Sequence, residues 1–169
     1  TGYYQSNEMM PTIKTLKPYI DGFVRTNDAI VVKFDTELYF MQAVSDLVMQ
    51  KYEDSEVSFK YVLDEFPDSH QEANCIYWYA MSQLFLQKYT DAFPNFERYV
   101  KKFPQEQYVD ECYFQGGICL FGQERYEEAQ ERFTYVIETY PDSSVYPEAC
   151  SMRGDIYGSE GFLDEATAD

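Results

Sequence analysis

The sequence predicts an all-α fold, a solenoid of antiparallel helix pairs copied every 37 residues. Three observations predict it. Phe66-Pro67, Phe103-Pro104 and Tyr140-Pro141 recur at that step. Aromatic and apolar positions keep it: Tyr52, Tyr89, Tyr126 and Leu163 in one column, Phe59, Phe96 and Phe133 in another. Small residues obey it too, as Ala43, Ala80, Gly117 and Gly154 and as Ser55, Ala92, Ala129 and Ala166. Five columns in register over three or four copies mark a repeat architecture, in which each unit hides its apolar face against the next.

The elements follow in order. Residues 1–35 match none of the columns. Within them Ile13, Leu16, Ile20, Phe23 and Val24 are helically spaced, so 12–26 reads as a capping helix with Pro18 as the one breaker inside it. From residue 36 the array divides into 36–72, 73–109, 110–146 and a shortened 147–169. Each unit is helix–turn–helix. In the second, residues 73–86 are apolar nearly all round, as in a helix flanked on both sides. Gln87 to Asp91 read as the turn, and a second helix runs from about Ala92 to Phe103 with Phe96, Tyr99, Val100 and Phe103 on one face. Pro104 stops that helix and pushes Phe103 out of helical angles. Pro94 falls in its predicted first turn, where a missing N–H costs little.

The small columns are expected to let paired helices approach closely, Ala80 or Gly117 facing Ala92 or Ala129, because a separation near 8 Å requires small side chains. Glycine inside a helix costs about 1 kcal/mol of propensity, so Gly117 and Gly154 are explained by packing. The Phe column is expected to plug the gap between a unit and its neighbour, and Phe96→Ala to cost about 3–5 kcal/mol.

The order Gly/Ala, Tyr, Ala, Phe, Pro resembles the tetratricopeptide repeat. Gly117 to Ala129 is 12 residues, Ala129 to Phe133 is 4 and Gly117 to Pro141 is 24, offsets that match the family pattern. The departures are three extra residues after each Pro and the replacement of the first-helix Trp by Tyr39, Ile76, Tyr113 and Cys150. The resemblance covers about 36–169 and implies a right-handed superhelix whose first helices line a partner-binding face. A narrower likeness rests on the Pro67-Asp68-Ser69 and Pro141-Asp142-Ser143 linkers, which are similar to those of bacterial envelope proteins of the Tol-Pal cell-division coordinator and outer-membrane assembly lipoprotein types. It implies a periplasmic or envelope location, with the cytoplasm left open. Pro104-Gln105-Glu106 departs from it.

Charge narrows the partners. The chain has 169 residues and a formal charge of −17, and residues 103–169 carry 15 acidic against 3 basic side chains. Such a surface repels phosphate backbones and anionic lipid heads, so nucleic acid is excluded and basic or neutral partners are favoured. No apolar run approaches the roughly 18–20 residues of a membrane span. Apolar residues at 45% and aromatics at 18% exclude a disordered acidic tail.

Chemistry-bearing residues are few. Cys75, Cys112, Cys119 and Cys150 fall in predicted helix interiors and read as small buried hydrophobes. His70 reads as a solvated linker residue without a positioned partner. The acidic pairs Glu53-Asp54, Asp64-Glu65, Asp110-Glu111, Glu127-Glu128 and Asp164-Glu165 read mostly as helix starts, where carboxylates favour the dipole. No Gly-rich phosphate loop, metal cluster or catalytic arrangement is present, so a non-enzyme without metal or cofactor is expected.

The resemblance places partner contacts three residues before and one after the small column: Phe40, Tyr77, Phe114 and Ser151, then Val44, Met81, Ile118 and Asp155. Positions six before it read Glu37, Asn74, Glu111 and Glu148. Phe40, Val44, Tyr77, Met81, Glu111, Phe114 and Ile118 are thus the candidate partner-binding residues of an apolar, acidic-edged groove. These side chains can equally be buried between units. The aromatic positions exclude the carboxylate clamp of chaperone-tail relatives, which needs Lys and Asn there. The expected function is a protein–protein interaction scaffold; the alternatives are a saccharide- or lipid-binding module and a regulatory domain of a larger enzyme. The fourth unit stops within its second helix at Asp169, so a longer natural chain is expected, and an array ending there could self-associate through its exposed end.

Overall fold

The computed structural model of the chain describes residues 29–159. Among the described residues there are seven α-helices and no strand: α1 Ala29–Val48, α2 Tyr52–Glu65, α3 Glu72–Phe85, α4 Tyr89–Lys102, α5 Val109–Gly122, α6 Tyr126–Thr139 and α7 Tyr146–Ser159. The predicted repeat is visible in the starts. α2, α4 and α6 begin at Tyr52, Tyr89 and Tyr126, and α3, α5 and α7 at Glu72, Val109 and Tyr146. The predicted helix 12–26 and the second helix of the fourth unit, with Leu163 and Ala166, lie outside the described residues.

The second helices start earlier than the sequence suggests. Tyr89, Thr90 and Asp91 were expected in the turn, yet they form the first turn of α4. Pro94 is therefore inside the helix, its sixth residue, and the Thr90 carbonyl has no amide to receive from it. The misreading has a physical source. The N-cap residues Lys51, Lys88 and Arg125 make no side-chain cap bond, so the usual polar start signal is missing.

The turn is made from the preceding helix instead. Lys51 N–H donates to Asp46 O and Gln50 N–H to Leu47 O; Lys88 and Gln87 repeat this on Gln83 and Leu84, and Arg125 and Glu124 on Leu120 and Phe121. This is the Schellman pattern in all three copies, and its closing residue is already the N-cap of the next helix. The pattern needs a left-handed residue, and Gln50, Gln87 and Glu124 supply it with φ of 59°, 57° and 61°. A side chain is strained there and glycine is not. In the sequence the same column continues to Gly161. Glu124→Gly is expected to stabilise the protein by about 1 kcal/mol, read as a higher midpoint in urea; a lower midpoint would contradict this account of the turn.

The helix ends are as predicted. Phe66, Phe103 and Tyr140, each before a proline, share φ near −127°, −128° and −125° with ψ of 56°, 56° and 59°. Each residue is thus displaced out of the α region, which a following proline disfavours, though ψ stops short of a fully extended strand.

The chain divides into two compact units, Thr1–Ser82 and Gln83–Asp169, with the boundary inside α3. In the first, α1 packs on α2. Tyr39, Ala43, Phe59, Val62 and Cys75 form its core, with Phe40, Val44, Tyr61 and Trp78 against it. Here two small columns meet as predicted: Ser55 Oγ donates to Ala43 O at 3.1 Å and lies 3.1 Å from Ser82 Oγ. In the second, α4 packs on α5, α5 on α6 and α6 on α7. Its core joins Phe114, Leu120, Ala129, Phe133, Val136, Ala149 and Ile156. Gly117 does not simply face Ala129. A Cβ on Gly117 would lie 2.6 Å from Cε1 of Phe133. The glycine makes room for a ring of its own helix pair, so the Phe column does more than fill a gap toward a neighbouring unit.

Candidate functional site

The seven candidate positions all lie on first helices. In the first unit, Phe40 and Val44 on α1 are half-buried, and Phe40 meets Phe59 edge-on with ring centroids 6.0 Å apart. Tyr77 and Met81 on α3 are 3% and 8% exposed, and the Tyr77 ring stands edge-on to Trp78 at 4.8 Å. In the second unit, Glu111 is half-buried in the first turn of α5. Phe114 is 7% exposed and stacks obliquely on Phe133 at 5.6 Å. Ile118 packs partly buried on the same core. Tyr77, Met81 and Phe114 are thus core or near-core residues, while Phe40, Val44, Glu111 and Ile118 keep accessible surface. Sequence spacing identifies the helix face, but how far each side chain is covered depends on its neighbours.

The acidic margin is partly engaged within the chain. Glu37 on α1 contacts His70 Nε2, and both its oxygens accept from Gln71 Nε2 at 3.2 Å. Asn74 Nδ2 in turn donates to Gln71 Oε1 at 2.8 Å. His70 is therefore not a freely solvated linker residue; it helps fasten the α2–α3 linker to α1. The α6–α7 linker does the same by other residues, Ser143 Oγ donating to Asp110 Oδ2 at the start of α5. The extra residues after the prolines thus reach back onto a first helix.

The sequence did not disclose Arg132. Its guanidinium bonds Glu97 of α4 at 2.8 Å and lies over the rings of Phe93 and Tyr113, 5.6 and 5.5 Å from their centroids. One cation thereby joins α4, α5 and α6. The signal was weak, a lone basic residue on an acidic helix. Gln42 and Asp46 were also missed. Both are almost fully buried on α1, joined by a 3.1 Å bond, in a position where the apolar columns gave no hint of polarity.

The thiols carry no nucleophilic arrangement. Cys75, Cys112 and Cys119 are buried and Cys150 is half-buried, all as free thiols. Burial, followed by the nearby Glu72 and Glu37, pushes Cys75 up to about 12; burial alone takes Cys119 to about 12, and burial followed by Glu111 and Asp110 raises Cys112 as well. Raised folded-state values mean that the folded chain holds these protons while the unfolded chain releases them. Their contribution to stability is complete below the ordinary thiol range near 9 and is lost as pH rises toward about 12. Thermal unfolding is expected to be steady from pH 7 to 8.5 and to shift to lower temperature from pH 9 upward. At pH 8 a thiol reagent is expected to label Cys150 and spare the other three; rapid labelling of Cys112 would contradict their burial.

Among the described residues no group of His, Cys, Asp and Glu could hold a metal ion, and no helix is long and apolar enough to cross a membrane.

The repeats themselves are matched. The tetratricopeptide repeat model matches residues 74–106 and 111–143. No curated protein matches the sequence. Among solved structures, a crystal structure of MamA is similar, with TM-score 0.69 and 19% identity over 92% of this chain and 86% of that one. MamA from Desulfovibrio magneticus RS-1, residues 41 to the end, has TM-score 0.69 and 16% identity over 95% and 92%. YrrB, described as a TPR protein with an unusual peptide-binding site, has TM-score 0.65 and 18% identity over 91% and 74%. At these identities the likeness establishes the all-α tetratricopeptide-like fold. None of these three bears on the narrower likeness to Tol-Pal or outer-membrane assembly proteins.

Proposed function

We propose that this chain, which carries tandem tetratricopeptide repeats, is a non-catalytic interaction scaffold that binds a polypeptide partner bearing basic and apolar side chains. The observation that carries this reading is the pair of matched repeats, 74–106 and 111–143, within a register that extends to the helices on either side. YrrB, a similar structure, is described as having a peptide-binding site. In the first unit the contacts come from the accessible Phe40 and Val44, with Tyr77 and Met81 more deeply packed; in the second they come from Glu111 and Ile118, with Phe114 more deeply packed. The excess of acid, −17 over the chain, favours a basic partner. Saccharide stacking has less support, because Tyr77 and Phe114 present little ring surface. The envelope location rests on the Pro-Asp-Ser linkers alone.

Trp78 is the sole tryptophan and adjoins Tyr77, so its emission is a built-in reporter. Peptides of alternating basic and aliphatic residues should quench or shift it on titration. Ile118→Asp should weaken binding about tenfold or more, since it puts a charge into a buried apolar contact. Affinity should also fall on going from low to high salt. Absence of peptide binding in a broad peptide library, with a response to oligosaccharides or lipid micelles instead, would overturn the reading.

A further inference from the structure

Three phenols meet in the second compact unit. Tyr113 of α5 and Tyr135 of α6 have ring centroids 4.5 Å apart, with the rings tilted by 46°. Tyr140, just after α6, lies 6.2 Å from Tyr113 and 6.1 Å from Tyr135. The Tyr135 hydroxyl shares hydrogen bonds with those of Tyr113 and Tyr140. Burial first, and then the bond to Tyr135, raise Tyr113 above the ordinary tyrosine value, and burial leads in raising Tyr140 to about 12, so both phenols hold their protons at neutral pH. Among the described residues no tyrosine is more exposed than Tyr135, at 41%. The same two columns pair Tyr39 with Tyr61 in the first unit, centroids 4.6 Å apart, whereas the intervening copy carries Ile76 and Arg98. The repeat therefore closes at these columns without needing phenols. The first-unit pair is also less accessible, with Tyr39 fully buried and Tyr61 half-buried.

We propose that Tyr113 and Tyr135 form an oxidative cross-linking site, at which hydrogen peroxide, acting through a one-electron oxidant such as a haem peroxidase, joins α5 to α6 by a carbon–carbon bond between the two rings. The exposed Tyr135 is the point of entry. Loss of one electron and one proton makes it a phenoxyl radical. That radical takes a hydrogen atom from Tyr113 across the shared hydrogen bond, which restores Tyr135 for a second oxidation. Two phenoxyls then face each other, and their unpaired spin lies partly on the ring carbons beside the oxygens. Those carbons bond, and the hydrogen displaced from each returns to its phenol oxygen. Two tyrosines have lost two electrons and two protons, and one hydrogen peroxide has taken both to give two waters. Ring contact replaces a chance encounter with a held geometry, so coupling within the chain outruns coupling between chains. The Arg132 guanidinium, 5.5 Å from the Tyr113 centroid, flanks that ring with a group that cannot add to a phenoxyl. The bond closes a loop between residues 113 and 135, which restrains the unfolded chain and stabilises the helix pair. The inference is independent of the partner reading, since it concerns second-helix and linker tyrosines outside the proposed contacts.

The test treats the intact chain with hydrogen peroxide and a haem peroxidase at neutral pH, in the presence of N-acetyltyrosine as a reporter of oxidant activity. After reduction, alkylation and trypsin, residues 103–125 carry Tyr113 and residues 133–153 carry Tyr135. The two peptides should appear joined, at their summed mass less two hydrogens, with fragmentation placing the link between Tyr113 and Tyr135. The joined product should come from chains that run as monomers, in a yield unchanged by tenfold dilution. Tyr113→Phe and Tyr135→Phe should each lower it at least tenfold. Tyr108→Phe, in the same peptide as Tyr113, should leave it within twofold. Circular dichroism checks that each variant is folded; each loses a single hydroxyl, and either of the first two serves if the other does not fold. A link that survives Tyr135→Phe would make Tyr140 the partner and overturn the proposal. So would coupling found only between chains, or no joined peptide while N-acetyltyrosine is dimerised in the same mixture.

Discussion

Gly117→Leu is expected to lower the melting temperature by about 4–12 °C. The position is fully buried, and even a Cβ would fall 2.6 Å from Cε1 and 3.0 Å from Cδ1 and Cζ of Phe133. Phe133 has no exposed surface and is held by Phe114 at 5.6 Å, so its ring has nowhere to turn. Overpacking of this kind costs about 3 kcal/mol, and in a chain of this size each kcal/mol moves the midpoint by about 2–4 °C. The gain in helix propensity on replacing glycine offsets about 1 kcal/mol at most. A melting temperature within a degree of the native value would mean that the helices are not in contact here.

Phe133→Ala is expected to cost about 3–5 kcal/mol, the largest single loss in the second unit. The ring lies in a core with Ala129, Val136, Ala149 and Ile156, so removing it leaves a cavity bounded by α5, α6 and α7. Gly117 has no side chain of its own to fill the space. The two substitutions therefore couple. Gly117→Leu combined with Phe133→Ala should cost clearly less than the two singly measured losses together, since the leucine enters the space the ring vacates. Additivity to within about 0.5 kcal/mol would contradict direct contact. Urea midpoints of the four proteins decide it.

The difference between what was legible and what was not follows the range of the interaction. Pro67, Pro104 and Pro141 act on the residue before them, so Phe66, Phe103 and Tyr140 could be placed from the chain alone. The turns at Gln50, Gln87 and Glu124 are equally local, yet they were unreadable because the left-handed position carries Gln and Glu where glycine is the usual mark. Their one trace was a polar column that ends in Gly161. The first-helix face with Phe40, Tyr77 and Phe114 was legible as a spacing. Its covering was not: Phe114 is closed by Phe133 and Tyr77 is almost fully buried, whereas Phe40 remains accessible. Glu37 likewise looked like a free acidic edge until His70 and Gln71, more than thirty residues on, were found on it.

The sequence by itself determined the class of fold and the 37-residue register, because periodicity and proline stops are written in the order of residues along the chain. The tertiary structure alone decided that Gly117 seats the Phe133 ring, that Arg132 ties three helices together, and that the linkers fasten back onto first helices. Those are contacts between residues far apart in sequence, and only the packed helices bring their side chains within reach.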